Sequence, residues 1–543
     1  MEGIAIINME TRTVILAIVL TTIFTNLFRS VSAQSAPAVK WQKVYGGLYQ
    51  DELQCVEPTL DGGFLLGGHS ESDISGNKSE NSRGGLDFWI VKVDSLGNVL
   101  WDKTYGGNRD DLLYVLKPTL DGGYIGGGWS GSDLSGDRTG SERGGYDMWV
   151  IKLDGNGNKV WDKVFGGAST DVLEKLLPTA DGGFLLGGSS RSSVNGDKSQ
   201  PSKGLNDFWL IKIDATGNKL WDKVIGGDNQ DHLFSMSQTS DGGYILGGNS
   251  NSGISGDKNQ KNQGENDVWI VKTDASGNVI WDKTFGGKLD EHLFAVQETP
   301  EGDFILGCNS RSPASGDKTE ESRGNQDFWV IKTDAFGNKI WDRTFGGPEG
   351  ESLLSLIVTS DGNYLLGGGS ASGISSDKSA PAMGFYDYWV IKVDKAGNKI
   401  WDKTLGGSGG ETINGLLQTA NGSYILAGSS YTDLSPDKTV ASKGGFDFWL
   451  IKLAPDGLTE KDFIIQLFPN PSGGNFNLKV TGIESVEARL TIFDFLGREQ
   501  YRKSLQVKNK RISEKIQIST GKGIYLLQLK DGNRVQTRKL VVE

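Results

Sequence analysis

Reactive side chains are scarce in this 543-residue chain. It has two cysteines, too few to staple a chain of this length, so a packed core must hold the fold. Cys55 and Cys308 are expected to be unpaired, buried small hydrophobes. Histidine is limited to His69, His232 and His292. There is no HExxH, no phosphate-binding glycine loop and no zinc-spaced cysteine set, which removes the commonest metal and nucleotide chemistries. Positive charge is scarce in the middle of the chain. Of a total of −12, the segment from Lys461 onward carries 15 Lys/Arg against 8 Asp/Glu and the first 29 residues sum to zero, leaving about −19 between them. That balance argues against nucleic acid and anionic membrane surfaces as partners. One long apolar run exists, TRTVILAIVLTTIFTNLF at 11–28, behind Arg12 and ahead of the small residues Val31, Ser32 and Ala33. It reads as a signal peptide spanning 1–33 and cut after Ala33. A membrane anchor is the alternative, but the run is shorter than the roughly 20 residues a spanning helix needs and is interrupted by threonines and Asn26.

Glycine and tryptophan are plentiful, at 78 and 15, a mixture of turn formers and large packing residues that favours many short strands. Trp41, Trp101, Trp161, Trp221, Trp281, Trp341 and Trp401 recur every 60 residues. Each copy alternates strand-length apolar runs with turns. TLDGG at 119–123 and DGNGN at 154–158 supply the positive φ of tight hairpins. Four strands follow in order: one before the Asp-Gly turn, one ending in Gly-Gly, one centred on Asp-aromatic-Trp, and one carrying Trp-Asp-Lys. In DFWIVKVD at 87–94 both faces are apolar, so both must be covered. A ring of sheets does this. Seven hairpin-and-tryptophan sets end at Trp449, and the first Trp-Asp-Lys-type strand, KWQKVYGG at 40–47, precedes the first set while none follows the last. The expected fold is therefore all-β: a seven-bladed β-propeller closed by its N-terminal strand, with an open, capped solenoid as the alternative.

The repeat WDKTFGG…DGGYILGG…SGDK…DFWIVKTD resembles kelch-type propellers and the 60-residue arrays of exported proteins in bacteria that use type IX secretion. The resemblance covers 40–456, after a short leader at 34–39. Past a linker at 457–466, residues 467–543 read as a small antiparallel β-sandwich, with strands around LFPNPSGGNFNLKV, LTIFDFLGRE and GIYLLQLKDGNRVQTRKLVV. A plain sandwich that binds a ligand is one reading of it. The Phe468-Pro469-Asn470-Pro471 start, the Asp494 to Gly497 turn, the Gly523-Ile524-Tyr525 strand and the basic Arg538 and Lys539 also resemble a type A C-terminal sorting domain of type IX secretion. That resemblance implies passage across the outer membrane by the type IX machinery, removal of the tail, and cargo left on the surface or released.

Recurrence separates scaffold from site. Trp89, Lys92 and Thr59 return in every copy and are expected to serve the blade. Asp137, Asp197, Asp257, Asp317, Asp377 and Asp437 recur in SGDK-like loops, with Asn77 in the first copy. One carboxylate beside a cation suits loop structuring better than calcium, whose loops space several ligands two residues apart. TLDGGF at 59–64 shares the start of a sialidase Asp-box, with its aromatic misplaced. His232 and His292 hold one position in adjacent copies and are either polar rim residues or a weak metal pair. Asp51, Asp111, Asp171, Asp231, Glu291, Glu351 and Glu411 form an acidic set in which nothing marks an acid and a base. His69, Trp129, Arg191, Arg311 and Tyr431 break the pattern just after the Gly-Gly strands, on the loop-rich end, and are the candidate binding residues. For Trp129 the alternative is that it fills the space left by Gly126. The expected function is binding of a polysaccharide or a surface protein, without a cofactor. The rivals are a secreted glycan hydrolase or lyase, endoglucanase-like or sialidase-like, and a structural surface component.

Overall fold

The computed structural model describes residues 34–456, 464–483, 485–494, 498–519, 521–531 and 534–543. The signal peptide with its cut after Ala33, residues 457–463 of the expected linker and Gly497 of the tail turn lie outside the described residues. Every regular element among the described residues is a strand. After β1 (Val39–Tyr45) come β2 (Asp51–Pro58), β3 (Phe64–Ser70), β4 (Asp87–Val93) and β5 (Val99–Tyr105), and β2 to β5 pair in chain order as an antiparallel sheet. Five further sheets repeat this layout. The seventh holds Glu411–Gln418, Tyr424–Ser430 and Asp447–Leu453, and its fourth strand is β1.

β1 takes the place that β5 holds in the first sheet. Val44 lies opposite Trp449 and Tyr45 opposite Phe448, as Thr104 and Tyr105 lie opposite Trp89 and Phe88. The one change within its Trp-Asp-Lys motif is accommodated: Trp89 donates its indole N–H to Asp102 at 3.1 Å, and Trp449 donates to Gln42 at 3.1 Å.

All seven residues of β4 are buried, because consecutive sheets stack on both of its faces. One core cluster joins Leu65, Phe88 and Ile90 of sheet one to Leu113, Tyr124 and Trp149 of sheet two. An equivalent cluster joins Tyr45, Phe448 and Leu450 of sheet seven to Leu53, Phe64 and Trp89 of sheet one. The first strands of successive sheets neighbour one another, and Glu411–Gln418 neighbours β2. Each fully buried indole, such as Trp89 or Trp149, contributes about 4–6 kcal/mol of gross transfer free energy on an area of about 150–250 Å². The Gly-Gly ending of β3 is a packing requirement: a Cβ on Gly68 would lie 1.9 Å from the Glu52 carbonyl, and one on Gly67 2.7 Å from Leu113 of the next sheet.

The recurrent turn residues form one network. The Thr59 backbone N–H donates to Gly63 O at 3.0 Å, Thr59 Oγ1 donates to Asp61 at 2.6 Å, and Lys92 reaches Asp61 at 2.7 Å.

In the tail, Ile464–Phe468, Asn475–Thr481 and Arg511–Gln517 form a three-stranded sheet; Glu499–Gln506, Glu487–Asp494, Gly523–Asp531 and Arg534–Val542 form a four-stranded one. The two share a core that includes Phe476, Leu478, Ile492, Leu527 and Leu540. The first tail strand begins at Ile464, inside the stretch expected to be linker.

Candidate functional site

Strand direction sorts the connections. The tight turns at 59–63 and 94–98 lie at one end of the sheets, and the 46–50 connections and the long loops after Ser70 at the other. The acidic set belongs to the scaffold of this loop-rich end. Asp51, Asp111 and Asp171 are wholly buried, and their carboxylates accept the amides of Gly47, Gly107 and Gly167 at 2.6, 2.7 and 2.7 Å. Burial pushes the Asp51 and Asp111 carboxyls above their usual range. A second buried set includes Asp87, pushed by burial to about 7, which accepts the Arg83 amide. The SGDK aspartates tie neighbouring sheets. Asp137 meets Arg83 and Asp377 meets Arg323, each at 2.8 Å, while Asp197 and Asp257 meet Arg143 and Lys203. Among the described residues, no group of three His, Cys, Asp or Glu is placed to share a metal ion.

The five candidate binding residues occupy different settings. His69 is only 3% exposed and faces Glu52 at 3.6 Å, so it is not the displayed side chain its sequence position suggested. Trp129 is half-buried between Tyr146, with ring centroids 4.4 Å apart, and Tyr114, at 6.4 Å. It does not fill the place of Gly126. The two residues are three apart on one strand and so point to opposite faces, and the space beside Gly126 is taken by Leu113 and Leu116. Tyr431 is 43% exposed and packs edge-on against Phe446 at 5.1 Å. Arg191 and Arg311 are exposed. Arg311 lines a crevice of about 510 Å³ with Tyr386, Gln326 and Glu349.

His232 and His292 stand between these arginines. Burial lowers the His232 imidazole pKa, and the nearby charges of Arg191 and His292 lower it further. Burial likewise lowers that of His292, with Asp290 opposing and Arg311 adding to the effect. His232 shares its ring nitrogens with the amides of Asn206, at 2.9 Å, and Gln230, at 3.3 Å.

The first strands surround a central cavity of about 300 Å³ that the sequence did not disclose. Gln54, Tyr114, Lys175, Phe294, Leu354 and Asn414 line it, one from each of six sheets. Within it Lys117 and Glu57 pair at 2.5 Å, and burial raises the neighbouring Glu174 carboxyl to about 7. Cys55 faces this cavity and Cys308 is buried; both are free thiols, and burial raises both, Cys55 to about 12. Tyr146 and Tyr386, both displayed at the mouth, were also overlooked. The signal for Tyr114, Phe294, Asn414, Tyr146 and Tyr386 was variation between copies, at the positions of Gln54 and Leu86.

Comparison with known proteins identifies the tail. Residues 466–543 match the secretion system C-terminal sorting domain. The chain is thus of the kind exported by type IX secretion to the cell surface or the extracellular space, and its tail engages that secretion system. The regulatory protein FlaEY of Caulobacter vibrioides is 24% identical over 229 residues, which are 40% of this chain and 24% of that protein. Puromycin hydrolase is similar in structure at a TM-score of 0.41 and 10% identity, over 82% of this chain and 62% of its own. Prolyl oligopeptidase B from Galerina marginata is similar at 0.37 and 11%, over 85% and 59%. The chain spans about a quarter of that curated relative and about three fifths of those two structures. None of these three lends it an activity.

Proposed function

We propose that residues 40–456 form a closed seven-bladed, kelch-like β-propeller, exported with a signal peptide at 1–33 and the sorting tail, whose loop-rich mouth binds a polysaccharide outside the cell. β1 as fourth strand of the seventh sheet and the core shared by sheets seven and one support closure. The binding reading rests on one observation above the others. The side chains that depart from the repeat, Trp129, Arg191, Arg311 and Tyr431, all lie at one end of the sheets, with Tyr146 and Tyr386 beside them. Large aromatics on a rigid scaffold suit stacking against sugar rings. The hydrolase reading is weaker because the acidic set is buried and occupied in holding the Gly-Gly connections.

Affinity electrophoresis of the purified chain through gels carrying a panel of polysaccharides, with reducing ends assayed in parallel, tests this reading. Retardation without new reducing ends is expected. Trp129→Ala should abolish the retardation while costing less than about 2 kcal/mol of stability. New reducing ends would replace binding by hydrolysis. A surface protein as ligand would leave every gel without effect.

A further inference from the structure

The mouth is chemically divided. Trp129 and Tyr146 stand on sheet two, Tyr386 on sheet six and Tyr431 on sheet seven, whereas sheets three to five present Arg191, His232, His292 and Arg311. These two arginines differ from the others of the sheets. Residues 40–456 contain eight, and six of them, Arg83, Arg109, Arg138, Arg143, Arg323 and Arg343, are ion-paired with Asp or Glu. Among the described residues, no ion pair is formed by Arg191 or Arg311. Six arginines are therefore committed to ion pairs, and two are left over at the mouth, flanking the two histidines. Asp290, the carboxylate closest to this arc in its effect on His292, already accepts a hydrogen bond from Asn266 at 2.8 Å.

We propose that the arc from Arg191 through His232 and His292 to Arg311 is an anion subsite, and that the polysaccharide bound at the mouth is an acidic one. This rests on the binding reading above and narrows it. The guanidinium fork matches a carboxylate or sulfate oxygen pair, and His292 can donate a ring N–H beside it, while His232, with its ring nitrogens held by Asn206 and Gln230, lines the arc. Aromatic rings on the flanking sheets would carry the sugar faces between charges. The carboxylates recurrent at this end do not oppose it, since Asp51, Asp111 and Asp171 are wholly buried on the amides of Gly47, Gly107 and Gly167, and Asp137 and Asp377 are paired with Arg83 and Arg323. The acidic balance of the chain does oppose duplex nucleic acid, whose charges recur about every 1.7 Å along the axis and require many more cations than two arginines. A polysaccharide charged once per sugar does not.

The test is affinity electrophoresis of the full chain in gels of dextran, polygalacturonate, dextran sulfate and polyglutamate, with the variants Arg191→Ala/Arg311→Ala and Arg191→Lys/Arg311→Lys. Both positions are exposed, and intrinsic fluorescence checks folding. The wild type should be retained by one or both acidic polysaccharides, the two gels telling carboxylate from sulfate. The double alanine variant should bind at least tenfold more weakly, and the double lysine variant should recover part of the loss. Unchanged affinity in the alanine variant overturns the subsite. Retention by dextran alone overturns it and leaves the binding reading standing. Equal retention by polyglutamate assigns the arc to an acidic protein and overturns the glycan. No retention by any gel removes both readings.

Discussion

Tyr45→Ala tests the closure of the ring against an internal standard. Tyr45 is 2% exposed, packs in the cluster shared by sheets seven and one, and donates its hydroxyl to Gly97 O at 2.7 Å. Tyr105, 60 residues on, is 6% exposed, packs between sheets one and two, and donates to Gly157 O. Truncating a buried aromatic costs about 3–5 kcal/mol, and losing the hydroxyl alone, as in Tyr45→Phe, about 0.5–1.5 kcal/mol. If β1 is an ordinary fourth strand, Tyr45→Ala and Tyr105→Ala cost the same to within about 1 kcal/mol, since each removes one equivalent contact. Denaturant unfolding followed by tryptophan fluorescence is the assay. All 15 tryptophans precede the tail, so the signal reports the sheets alone. A loss under about 1 kcal/mol for Tyr45→Ala beside a full loss for Tyr105→Ala would refute closure, because an unlatched β1 has no packing to lose.

Removing 466–543 should leave a folded protein inside the cell envelope; its normal appearance outside would contradict the role of the tail. Stability should also depend on pH in a stated direction. Burial, reinforced by neighbouring carboxylates, raises Asp87 to about 7 and Asp267 and Asp447 to about 6 from 3.8, so the stability they contribute is present below 3.8 and declines as pH rises through 6–7. The hydrogen bonds of Lys272 and Thr239 hold Asp241 down to about 2, and its contribution is present above 3.8 and lost as pH falls through 2. His232 and His292, lowered from 6.5, act against the decline but are fewer than the raised carboxylates. The melting temperature should peak near about pH 4–5, and a steady rise from pH 4 to 8 would contradict this assignment.

The repeat made the four-strand sheets and the displaced first strand legible, because a strand missing at one end and surplus at the other is a matter of counting. The scaffold residues were legible for the same reason: Thr59, Lys92 and Trp89 recur because a turn network and an indole hydrogen bond recur. Arg191, Arg311, Trp129 and Tyr431 stood out by breaking the pattern. The central cavity did not. The register of β2 shifts between Leu53 and Cys55, so Gln54 and Cys55 both line the cavity, and a bulge of this kind defeats the alternation from which inward residues are read. His69 misled for a related reason. It stands at the loop-rich end of β3, but on the covered face, opposite Glu52, where proximity to a loop brings no exposure.

Hydrogen exchange of the full chain, with and without the polysaccharide that retards it most, measures directly which end of the sheets carries the function. Binding at the mouth predicts slowed exchange in the segments around 129–146, 189–206 and 309–326, with the turns at 59–63 and 94–98 and their equivalents unchanged. Protection of those tight turns instead, with the loop segments unaffected, would contradict it.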